Sequence, residues 1–189
     1  MQPAVEPRRS RIISAAAELF AADGYPSAGM DQIGAAAGIT GPAIYRHFSS
    51  KSAVLAAVFD RILDAVTARP DPAPANGNPA AALRAQVEVY ADAVAARRRL
   101  MAVFVREVHH LPPDERAGLD ERQRRLVREW RTLLAAVHPQ WSAEVVRTCV
   151  HGCFGMLNAV GTFDANLSDG ELARVLMVLA DRLLDLPAR

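Results

Sequence analysis

Apolar residues recur every three to four positions along most of this sequence, and that period constrains the fold more than any other feature. A period of 3.6 places apolar side chains on one face of a helix, whereas half-buried strands need a period of two, which no stretch shows convincingly. The first apolar stripe ends at Asp23-Gly24, where glycine favours a helix stop. It consists of Ile12, Ile13, Ala16, Leu19 and Phe20. The sequence therefore predicts an all-α fold.

About nine helices are predicted, with a proline-rich segment dividing them. The first helix runs to Asp23. Ser168 and Glu171 have the spacing of a capping box at the start of the last helix. The others cover about 30–37, 41–48, 51–63, 80–96, 98–110, 113–137 and 142–160, and the last covers 169–186. Prolines within 70–79 exclude a helix there, because each removes a backbone donor and clashes with the preceding turn. That loop separates a predicted N-terminal domain, 8–68, from a helical domain, 69–189.

Composition excludes several classes of protein. The 189 residues are 51% hydrophobic and 23% charged, which is typical of a globular chain. No apolar run approaches the roughly 20 residues that span a bilayer, and the N-terminus shows no secretory signal. Two cysteines four positions apart do not form a disulfide framework. We therefore expect a soluble cytoplasmic protein with no membrane contact, metal or cofactor. The net charge of +1 does not by itself indicate nucleic-acid binding.

The segment 29–48 has the features of a helix-turn-helix, in which two short helices meet at a steep angle across a tight turn. Alanines at 35–37 allow close approach, and Gly38 can adopt the left-handed conformation of the turn. Thr40 is a candidate N-cap, and Pro42 fits the first turn of the next helix. Taken alone, this pattern fits any tight helix pair as well as it fits a DNA-binding motif.

The residues after the turn resemble the signature of the TetR family of transcriptional regulators. An aliphatic-Tyr-x-His-Phe segment at 44–48 is followed by a Ser-Lys pair at 50–51, and 15–20 with Asp23-Gly24-Tyr25 resembles the family's first helix. The resemblance is specific over about 10–60. It implies a three-helix DNA-binding domain followed by a helical effector and dimerisation domain.

The resemblance also implies which residues contact double-stranded operator DNA. They are Gly29, Thr40, Gly41, Pro42, Ala43, Tyr45, Arg46, His47 and Lys51. Arg46 suits bidentate guanine recognition, although it could instead contact phosphate or solvent. Tyr45, His47 and Lys51 would contact phosphates, with Lys51 assisted by the amides that begin the fourth helix. Phe48 is expected in the core.

Basic residues precede the first helix, and three positions depart from the family pattern. Arg8, Arg9 and Arg11 could form an arm that contacts the DNA backbone, or a solvated tail. Ala28 and Gly29 stand where the family usually has Thr or Ser, so a phosphate contact is expected to be lost there. Gly34 replaces the usual Ala within the second helix, which costs about 0.5–1 kcal/mol of helix stability.

For the C-terminal domain, the resemblance implies a small-molecule effector, and the aromatic and methionine content favours an apolar one. Candidate ligand-binding residues can be named, although plain core is the more common role for each of them. They are Met101, Phe104, Val105, His109, Trp130, Leu134, Trp141, Phe154 and Asn158. Cys149, His151 and Cys153 lack the four converging ligands of a zinc site, so we interpret the cysteines as core residues.

The last two helices are predicted to form a homodimer interface. The helix 142–160 is apolar nearly all round and must be buried on more than one side, and Gly152, Gly155 and Ala159 would permit close approach. Full burial within one subunit is the alternative. The predicted function is a repressor that leaves a palindromic operator when its effector binds. The competing hypotheses are an enzyme on a helical scaffold, for which no catalytic motif is visible, and a helical ligand-binding protein without DNA binding.

Overall fold

A computed structural model of the chain describes residues 7–68 and 77–187. Within these ranges it contains nine α-helices, two short 3-10 turns and no strand, which confirms the all-α prediction. The helices are α1 Arg8–Asp23, α2 Met30–Ala36, α3 Gly41–Ile44, α4 Lys51–Val66, α5 Pro79–Ala96, α6 Arg98–Glu107, α7 Pro113–Val137, α8 Ala143–Asn158 and α9 Asp169–Leu183. The proline-rich loop and the predicted domain boundary fall largely on 69–76, outside the described residues.

The third, sixth and eighth predicted helices end earlier than expected, each in a tighter turn, and the last ends at Leu183 and not at 186. The third was expected to reach Phe48, but α3 ends at Ile44 and the chain continues in hydrogen-bonded turns, with the His47 amide donating to the Ile44 carbonyl at 2.9 Å. The sixth and eighth close in the 3-10 turns Val108–His110 and Ala159–Gly161. Such turns at helix ends satisfy carbonyls that the α-helix leaves free.

Helix caps follow the sequence closely. Ser50 accepts a hydrogen bond from the Ala53 amide at 3.0 Å and begins α4. At α9 the predicted capping box is confirmed, because the Ser168 Oγ accepts from the Glu171 amide while Glu171 accepts from the Ser168 amide at 2.9 Å. The hydrogen bonds from Ser168 lower the pKa of Glu171. Both caps satisfy amides that would otherwise lack acceptors.

The N-terminal helices share one small core. The α1 helix packs against α2 and α4, and α2 packs against α3. Ile12, Ile33 and Ile44 are fully buried where these helices meet, and Phe48 is 4% exposed, as expected for a core residue. This arrangement holds α3 with its opposite side facing solvent.

The C-terminal helices form a second layer that is joined to the first by α4 and α6. The α5 helix packs against α7 and α9, and α7 packs against α8. The α6 helix packs instead against α1, α4 and the 3-10 turn Ala159–Gly161. Gly161 permits that last contact, because a Cβ there would lie 2.6 Å from the Ala102 amide nitrogen. No helix among the described residues is long and apolar enough to cross a bilayer.

Candidate DNA-binding surface and effector domain

The turn between α2 and α3 has the backbone geometry of a Schellman motif. Gly38 adopts a φ of +69°, its amide donates to the Ala35 carbonyl at 3.0 Å, and the Ile39 amide donates to the Gly34 carbonyl at 2.9 Å. This confirms the predicted left-handed glycine. The turn fixes the direction in which α3 leaves α2, which is the requirement for presenting one helix to a groove.

Thr40 occupies the N-cap position of α3, but its side chain does not cap the helix. Its backbone is extended, with φ −75° and ψ 152°, and its carbonyl accepts from the Ala43 amide at 2.9 Å. No hydrogen bond joins its hydroxyl to the first turn of α3. The prediction that the hydroxyl caps α3 is therefore wrong, and the exposed hydroxyl remains available to an external partner.

The predicted base- and phosphate-contacting residues share one solvent-exposed surface around α3, which we call the α3 surface. Its exposed members are Thr40, Pro42, Tyr45, Arg46 and His47, with Gly41 and Ala43 half-buried. Tyr45 is 56% exposed although it is a large side chain. The Arg46 guanidinium has no hydrogen-bond or ion-pair partner among the described residues. An exposed ring beside an unpaired guanidinium is suited to contact a polyanion.

One acidic and one basic residue lie beside the α3 surface. A Cβ at Gly41 would overlap the Asp31 carboxylate, so a negative charge lies beside the start of α3. On the other side, the Arg9 guanidinium lies 4.8 Å from the Phe48 ring centroid. Arg8, Arg9 and Arg11 lie in the first turn of α1 and not in an arm that precedes it, and their contact with the DNA backbone stays a prediction.

Gly29 is placed at the N-cap of α2, and its amide is already used. It donates to the Gln32 Oε1 at 2.7 Å, in the reciprocal half of a capping box. The predicted Gly29 contact with DNA therefore cannot use that amide. Gln32 was missed in the sequence, although a glutamine three residues after an N-cap was the signal for it.

The half-buried Lys51 side chain directs its ammonium to backbone carbonyls. Its Nζ donates to the carbonyls of Tyr25 at 2.8 Å, Ala28 at 3.0 Å and Pro26 at 3.2 Å, and it lies 4.5 Å from the Tyr25 ring centroid. An ammonium has three protons, so none remains for a phosphate. The predicted phosphate contact by Lys51 is not supported, and we assign the residue to holding the α1–α2 loop against α4.

That contact explains why the chain's single lysine stands here. The compact ammonium can aim three donors at three converging carbonyls, whereas a planar guanidinium presents its donors in one fork. The residue type is set by the loop geometry, and the sequence alone could show only that the position is unusual.

In the C-terminal domain, three of the predicted ligand residues lie around Tyr90, a residue that was not predicted from the sequence. Trp130 stacks on Phe154 at 4.3 Å between ring centroids, and Tyr90 packs edge-on against both. The Tyr90 hydroxyl donates to the Asn158 Oδ1 at 2.7 Å. Burial raises the pKa of Tyr90, so its phenol is a neutral donor. Tyr90 lies on α5, sixty-eight positions from Asn158, and no local pattern pairs them.

The remaining predicted ligand residues do not join that cluster into one pocket. Met101 and Leu134 are buried, and Phe104 packs edge-on against Phe59 at 5.1 Å. Val105 and His109 are exposed. Trp141 stacks on His138 at 3.9 Å. Val105 and His109 lie outside the cluster because they face solvent, and Trp141, between α7 and α8, packs on His138 instead. Ligand contacts by these three residues stay predictions.

The cysteines behave as core residues. Cys153 is fully buried, and burial together with the neighbouring Cys149 raises its pKa to about 12. Neither cysteine forms a disulfide. No cluster of three or more His, Cys, Asp and Glu side chains suited to a metal ion occurs in the described part of the chain. The thiol of Cys153 is therefore protonated and unreactive at neutral pH.

Family comparisons assign both halves of the chain. Residues 12–58 match the family described as bacterial regulatory proteins of the tetR family, and residues 76–162 match the tetracyclin repressor-like C-terminal domain. The chain belongs to the TetR family. Its matched segments coincide with the helix-turn-helix domain and with most of the effector domain.

Individual relatives of this TetR-family regulator agree with the assignment. A TetR-family regulator from Bordetella parapertussis superposes with a TM-score of 0.79 at 26% identity, over 97% of this chain and all of that one. The repressor KstR2 of Rhodococcus jostii is 32% identical over 58% of this chain and 54% of its own length. AibR, solved with isovaleryl coenzyme A and operator DNA, has a TM-score of 0.76 at 20% identity, over 92% of this chain and 97% of that one.

Alignments with the curated relatives cover only 25% to 54% of those relatives' length. The relatives are named as transcriptional regulators, and the three shortest of these alignments span 57, 50 and 53 residues. They assign the family and its regulatory role, and leave the effector and the operator to the structural argument below.

Polar contacts connect the DNA-binding half of the TetR-family regulator to its effector half. Arg106 on α6 donates to the Ala21 carbonyl at the end of α1 at 3.1 Å. Arg122 on α7 forms ion pairs with Asp60 and Asp64 on α4 at 3.1 Å and 2.6 Å. A shift of α6 or α7 would therefore be transmitted to α1 and α4 through direct contacts.

The last two helices present an apolar surface to solvent, which we call the α8–α9 surface. Its large members are Val145, Val175, Val178 and Leu179, which are 43–51% exposed. Gly152 and Gly155 are also exposed, and a Cβ at Gly155 would meet no atom within 4 Å. The alternative of full burial within one subunit is therefore wrong for this face of the two helices.

Proposed function

We propose that this TetR-family regulator is a homodimeric repressor that binds a palindromic operator through its α3 surface and leaves the operator when a small apolar molecule binds the effector domain. The observation that carries the proposal is the sorting of buried and exposed residues at the end of α3 and in the turns that follow it. Ile44 and Phe48 are buried, while Tyr45, Arg46 and His47 between and beside them are exposed. That sorting matches a helix packed on one side and offered to the major groove on the other.

The phosphate contacts of the proposed complex differ from those the sequence predicted. Tyr45 and His47 supply the side-chain donors, and the amides that begin α4 supply the helix N-terminus. Lys51 positions α4 without touching DNA. Arg46 has the free guanidinium needed for guanine recognition, which contributes about 1–3 kcal/mol of discrimination per good bidentate contact.

The α8–α9 surface supports the homodimer. Covering these exposed apolar side chains with a second copy removes them from water and stabilises the dimer. The exposed glycines permit close approach of the helices. A two-fold interface pairs the same surface on both subunits and matches the symmetry of a palindrome. A regulator that reads chromosomal DNA acts in the cytoplasm, where we place it.

The buried aromatic cluster of Tyr90, Trp130 and Phe154 supports an apolar effector site. Two polar atoms of this region, the Trp130 Nε1 and the Gln86 Oε1, are buried without a partner, and Gln86 lies one turn before Tyr90 on α5. Leaving a buried polar group unpaired costs about 1–3 kcal/mol. An effector with an apolar body and one polar group would recover that energy. AibR offers a parallel, since it was solved with a short acyl thioester and operator DNA.

The proposal is tested by fluorescence anisotropy with DNA fragments from the regulator's own promoter region. We expect one palindromic fragment to bind much more tightly than a scrambled fragment, with affinity falling steeply as salt rises. Deleting the gene should raise expression of a reporter driven by that promoter. Equal binding to both fragments, or no binding to either, would contradict the DNA-binding role, and falling reporter expression would contradict repression.

A further inference from the structure

A large cleft lies where the DNA-binding half meets the effector half. One wall is formed by α1 and α4, and the other by the α5–α6 junction and the segment 160–167. Its volume is about 1070 Å³. That is at the upper end of the range for small-molecule sites. None of the predicted ligand residues lines this cleft, so it is distinct from the aromatic cluster of α5, α7 and α8.

The lining of the cleft is rich in arginine. Four arginines, Arg61, Arg97, Arg98 and Arg99, face it against two carboxylates, Glu18 and Asp164. Guanidinium groups are planar and match phosphate and carboxylate oxygens in bidentate geometry. Asp169 pairs with Arg98 from just outside this lining, so the groups that decide which anion binds are the arginines that the wall does not hold.

Two of these arginines already hold the wall together. Arg98 donates to the carbonyls of Ala165 at 3.0 Å and Leu167 at 3.2 Å and pairs with Asp169 at 2.7 Å, which fixes the 160–167 segment. Arg61 donates to the Ser14 Oγ at 2.8 Å and joins α4 to α1. These contacts make the cleft a built feature of the fold and not a gap between loose side chains.

The other two arginines are available to a ligand. Arg97 is exposed, and its guanidinium has no hydrogen-bond or ion-pair partner within 7–68 and 77–187. Arg99 pairs with Glu18 at 3.1 Å, but the two side chains are 78% and 68% exposed. Exposed pairs of this kind contribute little, so an anion can replace Glu18 as the partner of Arg99.

The same cleft offers apolar and aromatic surface. Phe163 is 55% exposed and Leu167 is 40% exposed, and both line it. The buried side chains of Ile13, Val58 and Val160 form its floor. An exposed aromatic ring is a stacking platform for a planar group, and base–aromatic stacking is favourable for every base. The chemistry therefore selects a ligand that joins a multiply charged anion to a planar or apolar part.

We propose that this cleft binds the diphosphate and base of a nucleoside diphosphate group, with Arg97 and Arg99 on the phosphates and Phe163 against the base. Bidentate guanidinium–phosphate pairs supply affinity and orientation. The group is either a free nucleotide or the nucleotide portion of a larger coenzyme, because both carry the same diphosphate and base.

Occupancy of the cleft has a direct route to the DNA-binding half. The Arg99–Glu18 ion pair crosses from α6 to α1, and Arg106 anchors the same helix to the end of α1. A ligand that takes Arg99 from Glu18 removes one of these connections. The ligand therefore binds more tightly to the state in which Arg99 is separated from Glu18 than to the state in which they are paired. This difference in affinity couples occupancy of the cleft to operator affinity. This coupling rests on the proposed DNA-binding function, whereas the binding itself does not.

The binding is tested by titration calorimetry on the full chain without DNA, using ADP, inorganic pyrophosphate and coenzyme A as probes. We expect ADP to bind, Arg97→Glu to weaken it at least about tenfold, and Phe163→Ala to weaken ADP more than pyrophosphate. Arg125→Glu is the matched control, because Arg125 is exposed on α7 and lines neither this cleft nor the aromatic cluster. Tighter binding of coenzyme A than of ADP would assign the nucleotide to a larger coenzyme, and equal binding would assign it to the free nucleotide.

The proposal is overturned if ADP does not bind the wild-type chain, if Arg97→Glu binds as well as wild type, or if Arg125→Glu weakens binding equally. The change in operator affinity is measured separately by anisotropy with and without ADP. Failure of the DNA-binding proposal appears there as no operator binding in the absence of ADP, so the two failures are distinguishable.

Discussion

The two halves of the regulator differ in how far apart along the chain their decisive contacts lie. In the DNA-binding half, the Gly38 and Ile39 amides bond to carbonyls three and five residues earlier. In the effector half, Tyr90 meets Asn158 across 68 positions and Arg84 meets Asp181 across 97. The short-range contacts form the α3 surface, which a segment of about a dozen consecutive residues specifies almost completely. Long-range contacts define a cavity and an interface that no short segment specifies.

That difference separates two kinds of experiment. Substitutions on the α3 surface should change DNA recognition and leave assembly intact. Substitutions on the α8–α9 surface should change assembly, and should change DNA binding only because a palindrome requires two subunits. The predictions below challenge this division, beginning with the largest expected effect.

Val178→Asp should convert the regulator to a monomer and reduce operator affinity at least about 100-fold, because burying an unpaired carboxylate in an apolar interface costs several kcal/mol. Sedimentation velocity measures the assembly state, and anisotropy measures the affinity. Val105→Asp is the matched control, since Val105 is 41% exposed on α6 and lies outside the interface. A dimeric Val178→Asp protein, or a monomeric control, would place the interface elsewhere.

Arg46→Ala should weaken operator binding by about 1–3 kcal/mol and relax the preference at one base pair of each half-site, because the proposed guanine contact is lost. Its circular dichroism and dimer mass should match wild type. Anisotropy against operators with single-base changes checks this. If all operators lose affinity equally, Arg46 contacts phosphate and not a base.

Lys51→Ala should destabilise the fold by about 1–3 kcal/mol, because three carbonyls lose their donor. Lys51→Arg should recover only part of that loss, since one planar fork cannot serve three converging acceptors. Urea denaturation measures both. The salt dependence of operator binding, measured where the variants are folded, should keep the wild-type slope. A slope smaller by about one would restore the phosphate contact first predicted for Lys51.

Gly34→Ala should stabilise the regulator by about 0.5–1 kcal/mol, because alanine loses less conformational entropy in a helix. The added Cβ would lie 3.4 Å from the Ile39 carbonyl oxygen and 3.6 Å from that of Thr40, which is ordinary contact. Thermal unfolding checks the sign. Destabilisation would mean that α2 and α3 must move closer together than this structure shows.

The sequence predicted the N-terminal half residue by residue because its signals are local. The left-handed Gly38, the buried Phe48 and the exposed Arg46 all follow from short-range pattern and family signature. Some errors there are local, such as the Thr40 hydroxyl that does not cap α3, but the error at Lys51 concerns a donor whose acceptor, Tyr25, lies 26 positions away. Apolar periodicity also predicted the helices of the effector half. It indicates which face of a helix is buried, but not which residues pack against that face. Tyr90 and the cleft beside Arg97 therefore had no sequence signal.

The central claim is that α3 reads a half-site while the α8–α9 surface fixes the distance between two half-sites. The most direct test inserts five base pairs at the centre of the identified palindrome, which turns one half-site to the opposite side of the duplex by about half a helical turn. The account predicts that wild type loses most of its affinity for the altered operator, whereas monomeric Val178→Asp binds both operators equally weakly. Undiminished wild-type binding to the altered operator would contradict it.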